Sequence, residues 1–384
     1  MPRIQLINAD NRLDIKYSKT EGIWAFGDDN AYPQLVKNLI SSSVTAKQCV
    51  DINAKNIYGK GFQFINKDTA KESLIVNRKG HSLNQLLRNV AKEYSEQNNI
   101  FLHLNFNALY EITSVELIPT TDGRIGKYDS TGYSGKYITY DNWDKSKNKK
   151  IDKRDFKIID KFNLNPHIIE KQVEAAGGWA KWKGQILHIS SDISAVYSLS
   201  DADPVLYDCD SENRAARFKN NGLRQGFFGA KMFVTKPFGD DAERKDFKRT
   251  IEDLKGDENS SGVLLLESKT ESDDLSKEFI IQNIDTNIND KMFESTENST
   301  ARNIRKAFGV PSILLEDSDN SIFGNSGELL VQAKKMHWEN KEEERNTIQE
   351  AFETIFSKWH APINITNDWT ILPIITQETS TTNE

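Results

Sequence analysis

Residues 326–360 constrain this chain most, because they read as one very long helix. Leu329, Leu330, Ala333 and Met336 recur at helical spacing near one end. Ile348, Ala351, Phe352, Ile355, Phe356 and Trp359 do so near the other. The segment between them, ENKEEERNT, is charged all round. At 1.5 Å rise per residue such a helix spans on the order of 50 Å, too long for one small core. A helix polar on all faces in its middle crosses between layers or between subunits.

The remaining sequence points the same way. A chain of 384 residues has length for two or three domains. Its mean hydropathy of -0.63 is low for a globular protein, which implies small cores or surface buried against other subunits. The 19 Phe, 11 Tyr and 7 Trp exclude wholesale disorder. A formal net charge of -7 argues against a protein that grips phosphates along its whole surface and suits a channel better than a clamp. Cys49 and Cys209 sit in no paired motif, so neither a zinc site nor a disulfide framework is read, and both suit a reducing compartment. The opening MPRIQLINADNRLDIKYS has no apolar signal core, and no run approaches a membrane span, so no membrane partner is expected.

Along the chain, a first helix is expected after Asp28-Asp29-Asn30, with Pro33 in its first turn and Leu35, Val36, Leu39 and Ile40 on its apolar face. A second runs near 44–56 and stops at Tyr58-Gly59, with Phe62 and Phe64 in a short strand beyond. Residues 83–97 read as an amphipathic helix with Leu83, Leu86, Leu87, Val90, Ala91 and Tyr94 on one face. Strands are expected over 99–106, 108–118 and 184–190, a β-hairpin over 128–140, and a solvated loop and strand edge over the lysine-rich 141–161. Residues 201–221 read as a helix entered at Asp203-Pro204 and broken at Asn220-Asn221-Gly222. A small α+β segment follows, with strands over 229–235, 263–267 and 278–284 and a helix over 241–255. A second long helix runs from Asn289-Asp290 to Gly309, where Gly309 and Pro311 stop it.

No catalytic motif rises above its structural alternative. Asp317, Asp319, Ser321, Asn325 and Glu328 fall at calcium-loop positions, but the sixth position, which must turn sharply, is the β-branched Ile322. A loop between two helices is the better reading, and no metal is expected. Gly59-Lys60-Gly61 lacks the rest of a phosphate loop. The six histidines have no metal spacing, and His188 reads as a packed or hydrogen-bonded residue.

Several segments, in order, resemble the portal proteins of tailed bacteriophages. They are FGDDNAYPQLVKNLI, KNIYGKGFQF, GQILHIS, ARFKNNGLRQGF and, above all, ARNIRKAFGVPSILLEDSDNSIFGNSGELLVQAKKMHW. The last is similar to the family pattern of a stem helix ending in F-G-V-P, two apolar residues, an Asn- and Ser-containing loop and a long helix. The resemblance runs from about Phe26 to Trp359. It implies an α+β portal fold: a wing over 1–200, a first stem helix over 201–221, a clip over 222–286 and a second stem helix over 287–309. A tunnel loop over 310–325, a long wing/crown helix over 326–360 and a tail over 361–384 would follow. Little sequence remains after Trp359, so any crown is expected to be small. The resemblance further implies a non-enzymatic ring, usually of twelve copies, assembled in the host cytoplasm and placed at the capsid vertex of the virion. Double-stranded DNA would pass through it, and the terminase large subunit, the major capsid protein and a neck adaptor would be its partners, with no cofactor. Glu316, Asp317, Asp319, Asn320, Ser321, Ile322, Phe323 and Asn325 would form the loop near DNA. Arg214, Arg217, Lys219, Arg302, Arg305 and Lys306 would be the basic residues of the stem. The rival expectations are a soluble nucleic-acid- or sugar-processing enzyme with an acidic site, and another head-tail adaptor. Size in solution separates an enzyme from a ring.

Overall fold

The structure is a computed structural model. It describes residues 15–27, 29–63, 74–128, 135–143, 153–225, 231–235, parts of 240–249, 263–267, 279–283, 290–315, 326–361, 363 and 369–374. Residues 1–209 with 303–384 form one compact unit, and residues 210–302 form another.

The first unit is built on an eight-stranded sheet of order β1-β2-β5-β6-β7-β8-β3-β4. Its strands are β1 (Tyr17–Ser18), β2 (Ile23–Trp24), β3 (Asn99–Phe106), β4 (Ile112–Ile118), β5 (Gly123–Tyr128), β6 (Gly135–Thr139), β7 (Lys157–Lys161) and β8 (Gln185–Ser190). Every pairing is antiparallel except β7 with β8. That parallel pair needs a crossover, which helix α4 (Pro166–Ala176) supplies. The lysine-rich segment therefore ends inside the sheet, between β6 and β8, and not at an edge as the sequence suggested. Its charge pattern hid the buried Ile159 and Asp160.

Strand alternation gives the sheet two buried faces. Ile100, Leu102 and Leu104 of β3 point to one core with Val115 and Ile189. Phe101 points to the other, with Ile125, Tyr137 and Ile186. Helix α3 (Leu83–Gln97) covers the first face with the apolar stripe expected from its periodicity. A capping box starts α3: the Ser82 hydroxyl accepts from the Gln85 amide, and the Gln85 side chain accepts from the Ser82 amide. Asn98 ends it in the left-handed region at φ 53°, and its amide donates to Asp201. Helices α1 (Tyr32–Ser42) and α2 (Val44–Tyr58) contribute Tyr32, Val36, Ile40, Cys49 and Val50 to the second core. Phe62 is buried, but it lies outside any strand, and Phe64 lies outside the described residues.

The 201–221 helix is longer than expected. A short 3-10 turn over Asp203–Val205 leads into α5 (Leu206–Gln225), which passes through Asn220-Asn221-Gly222 without a break. The hydrogen-bonded ladder continues there despite the turn-forming residues, which are only weakly unfavourable in a helix. The second unit contains β9 (Lys231–Thr235), β10 (Val263–Glu267) and β11 (Phe279–Asn283). They form a three-stranded sheet with β9 central, parallel to β10 and antiparallel to β11. Helix α6 (Asp290–Ala307) returns the chain to the first unit.

The stretch read as one helix over 326–360 is two: α7 (Ser326–Asn340) and α8 (Glu342–Phe356). Lys341 between them leaves helical geometry at φ -101°, ψ 20°. Three successive carboxylates, Glu342, Glu343 and Glu344, follow the break and suit the positive end of a new helix dipole. Periodicity alone could not find this stop, because the charged middle has no apolar stripe to interrupt.

Candidate channel and ring-forming elements

The sequence-predicted stem cations lie on α5 and α6. Arg214, Arg217, Lys219, Arg302 and Lys306 are exposed, and Arg305 is half-buried. Arg214 Nε bonds Asp210 Oδ2 at 2.6 Å one turn away. Lys219 Nζ bonds Glu297 Oε1 at 2.5 Å, which joins the two helices. Exposed pairs of this kind contribute about 0–1 kcal/mol, so their main effect is on charge. They blunt the pull of two of the six cations on an anionic partner. Arg217, Arg302 and Lys306 keep their charge unpaired among the described residues.

The end of α6 is fixed as its sequence implied. Gly309 takes the left-handed conformation at φ 64°, and the Val310 amide returns to the Arg305 carbonyl at 3.0 Å. Ile304, Phe308 and Val310 are buried in the second core, and Asn53 of α2 donates to the Phe308 carbonyl at 3.1 Å. Glu316, Asp317, Asp319, Asn320, Ser321, Ile322, Phe323 and Asn325 all lie outside the described residues, as does most of the calcium-like stretch.

At the α7–α8 junction, the Arg345 guanidinium lies 3.6 Å from the Trp338 ring centroid and donates to the Asn56 carbonyl. Burial lowers its pKa to about 10. Lys341 Nζ bonds Glu344 at 2.7 Å. His337 is fully buried beside this cluster, and neither ring nitrogen has a well-formed hydrogen-bond partner among the described residues. Burial first, and Lys341 second, lower its pKa to about 4.

His188 is a packed residue, as expected. Its ring stacks on Phe101 at 4.5 Å, and its Nε2–H donates to Asn99 Oδ1 at 3.2 Å. Burial lowers its pKa to about 3. An unfolded histidine titrates near 6.5. The unfolded chain therefore takes up a proton that the folded chain refuses between those values. The stability gained from neutral His188 is present above about pH 6.5 and is lost as pH falls toward 3. In His188→Phe, urea midpoints measured across that window should fall less steeply than in the parent protein; parallel curves would contradict this.

A cleft of about 340 Å³ opens between α1, α2, α3 and β4. Lysines (Lys37, Lys47, Lys79, Lys92) and carboxylates (Asp51, Glu93, Glu96, Glu116) line it in balance. Burial raises the pKa of Glu93, which accepts from the Thr120 amide at 2.6 Å. Lys79 pairs with Glu116 at 3.2 Å. Among the described residues no three His, Cys, Asp or Glu side chains are placed to hold a metal, and no helix is long and apolar enough to cross a membrane.

No protein-family model and no curated protein sequence matches this chain. Solved structures do. A chain in the neck of the native gene transfer agent (GTA) particle, computed with C12 symmetry, superimposes with a TM-score of 0.53 at 15% identity. The match covers 89% of this chain and 86% of that one. This chain shares its fold with a GTA neck component. The neck of the empty GTA particle, computed with C6 symmetry, gives a TM-score of 0.52 at 14% identity over 86% and 82% of the two chains. The virion of the native particle gives 0.53 at 14% over 87% and 83%. The expected α+β class holds, and the fold is the one seen in these GTA particle chains. Sequence reasoning missed the α7–α8 junction and the buried Arg124 described below, since each depends on partners far away in the chain.

Proposed function

We propose that this chain is a portal subunit: one copy of a closed ring at the capsid vertex through which double-stranded DNA enters and leaves. The alignment along nearly the whole chain with a C12-symmetric neck component carries the reading. The wing, stem and clip assignments follow from it, with α5 and α6 as stem helices, the β9–β11 sheet in the clip, and the α7–α8 pair in place of a single long helix. The terminase large subunit, the major capsid protein and a neck adaptor are the proposed partners, and the ring itself performs no catalysis. An acidic protein suits this work, because DNA must slide and not stick. Isolated cations such as Arg217, Arg302 and Lys306 would retard DNA locally without holding it.

In this reading residues 316–325 meet DNA in the channel. Removing Asp319 to Ser321 should leave ring assembly intact and abolish most DNA packaging or retention in a particle-producing system. Normal DNA content in such particles would reduce the loop to a connector.

A further inference from the structure

We infer that ring closure joins two surfaces of opposite character on neighbouring copies: an aromatic, lysine-bearing patch at 107–111 and 179–183, and an acidic ridge along α7–α8. This rests on the ring reading above. A ring of identical copies joined head to tail uses a different surface on each side of every copy, so the two surfaces must be complementary.

The patch is built to stay in place. Helix α4 stops at Gly177 and Gly178, whose φ values of 83° and 101° turn the chain sharply. Trp182 is then anchored: its Nε1–H donates to Asp160 Oδ2 at 3.0 Å, and its ring packs on Phe106 at 5.5 Å. Trp179 stands edge-on to Trp182 at 5.5 Å and meets Tyr110 at 5.9 Å, yet it remains 38% exposed. On the adjoining turn, Asn107 Oδ1 accepts from the Leu109 and Glu111 amides at 2.9 and 3.0 Å. This leaves Leu109 75% exposed. Rigid aromatic groups held at a surface lose little entropy on docking and are the commonest anchors of protein interfaces. Lys181 and Lys183 flank these rings, are exposed, and have no carboxylate partner among the described residues.

The ridge has the reverse problem. Glu339, Glu342, Glu343 and Glu350 are exposed around one open depression at the α7–α8 junction, while Ile348, Phe352 and Ile355 of α8 are buried. Glu342 and Glu343 are adjacent in the first turn of α8, and Glu350 follows Glu343 two turns on along the same helix. The cations nearest in sequence are committed elsewhere, Lys341 to Glu344 and Arg345 to Trp338 and Asn56. Lys181 and Lys183 of the same copy pair with none of the four. A second copy supplies what each surface lacks: carboxylates for the lysines, and lysines for the ridge.

The test uses the full chain and two exposed charge reversals, Lys181→Glu with Lys183→Glu, and Glu342→Lys with Glu343→Lys. Each should keep the parent's circular dichroism, the α8 reversal with a lower melting temperature because it opposes the helix dipole, and each should lower the ring fraction in native mass spectra by about tenfold or more. An equimolar mixture should restore rings with alternating copies, because each reversed surface then meets its complement. Trp179→Ala should weaken assembly without changing charge. Parent rings with unaffected reversals, or mixing without rescue, would overturn this pairing and leave the ring reading standing. Reversals that lower DNA binding alone would overturn it in favour of a nucleic-acid surface. A parent chain that never closes would overturn the ring reading first.

Discussion

Arg124→Met is expected to destabilise the first unit by about 3–5 kcal/mol, because it leaves several buried acceptors unsatisfied at about 1–3 kcal/mol each. Arg124 is among the largest fully buried side chains in the protein. Its Nε donates to Asn30 Oδ1 at 2.6 Å, and its Nη2 donates to the Asn30 carbonyl at 2.7 Å. Its Nη1 serves the carbonyls of Thr120 and Gly123 at 2.9 and 2.6 Å. Burial lowers its pKa to about 10, so the guanidinium is still charged at neutral pH. Removing it strands several buried acceptors at once, and lysine cannot replace its planar fork. Denaturant unfolding of Arg124→Met and Arg124→Lys tests this. A loss below 1 kcal/mol in both would show that water can enter and serve the acceptors.

Phe352→Ala should cost about 3–5 kcal/mol, because a fully buried ring is replaced by a cavity. Phe352 lies in the first core, 5.6 Å from Phe62 and 6.0 Å from Phe356. Trp369 meets both Phe62 and Phe356 around it. The same measurement on Thr354→Ala, on the exposed side of α8, should change stability by less than about 0.5 kcal/mol. Equal effects would mean that α8 does not cover the sheet as described.

How much of this was legible in the sequence depended on where each signal resides. Helix α3 and strand β3 could be placed from local pattern, because the Leu83–Tyr94 stripe and the Ile100–Leu104 alternation are each complete within their own segment. The stop at Gly309 and Pro311 was likewise local. Strand β7 was misread because its lysines suggested a solvated segment, whereas Ile159 and Asp160 are buried on the two opposite faces of the sheet. The break at Lys341 was missed because a charged helix carries no stripe for a break to disturb. Arg124 sits in GRIGKY, which looks like any strand with a surface cation; only Asn30, far away in sequence, makes it a buried anchor. The cations of α5 and α6 can be read in the sequence, but the pairing of Arg214 with Asp210 and of Lys219 with Glu297 required three dimensions. The paired tryptophans of WAKWKG were visible as letters, and only the turn at Asn107 brings Leu109 and Tyr110 beside them.

Copies of this chain are proposed to close into a ring around DNA. Images of the purified 384-residue chain viewed end-on should show closed rings with a central hole at least as wide as duplex DNA. A stable monomer at every protein and salt concentration tried would contradict it.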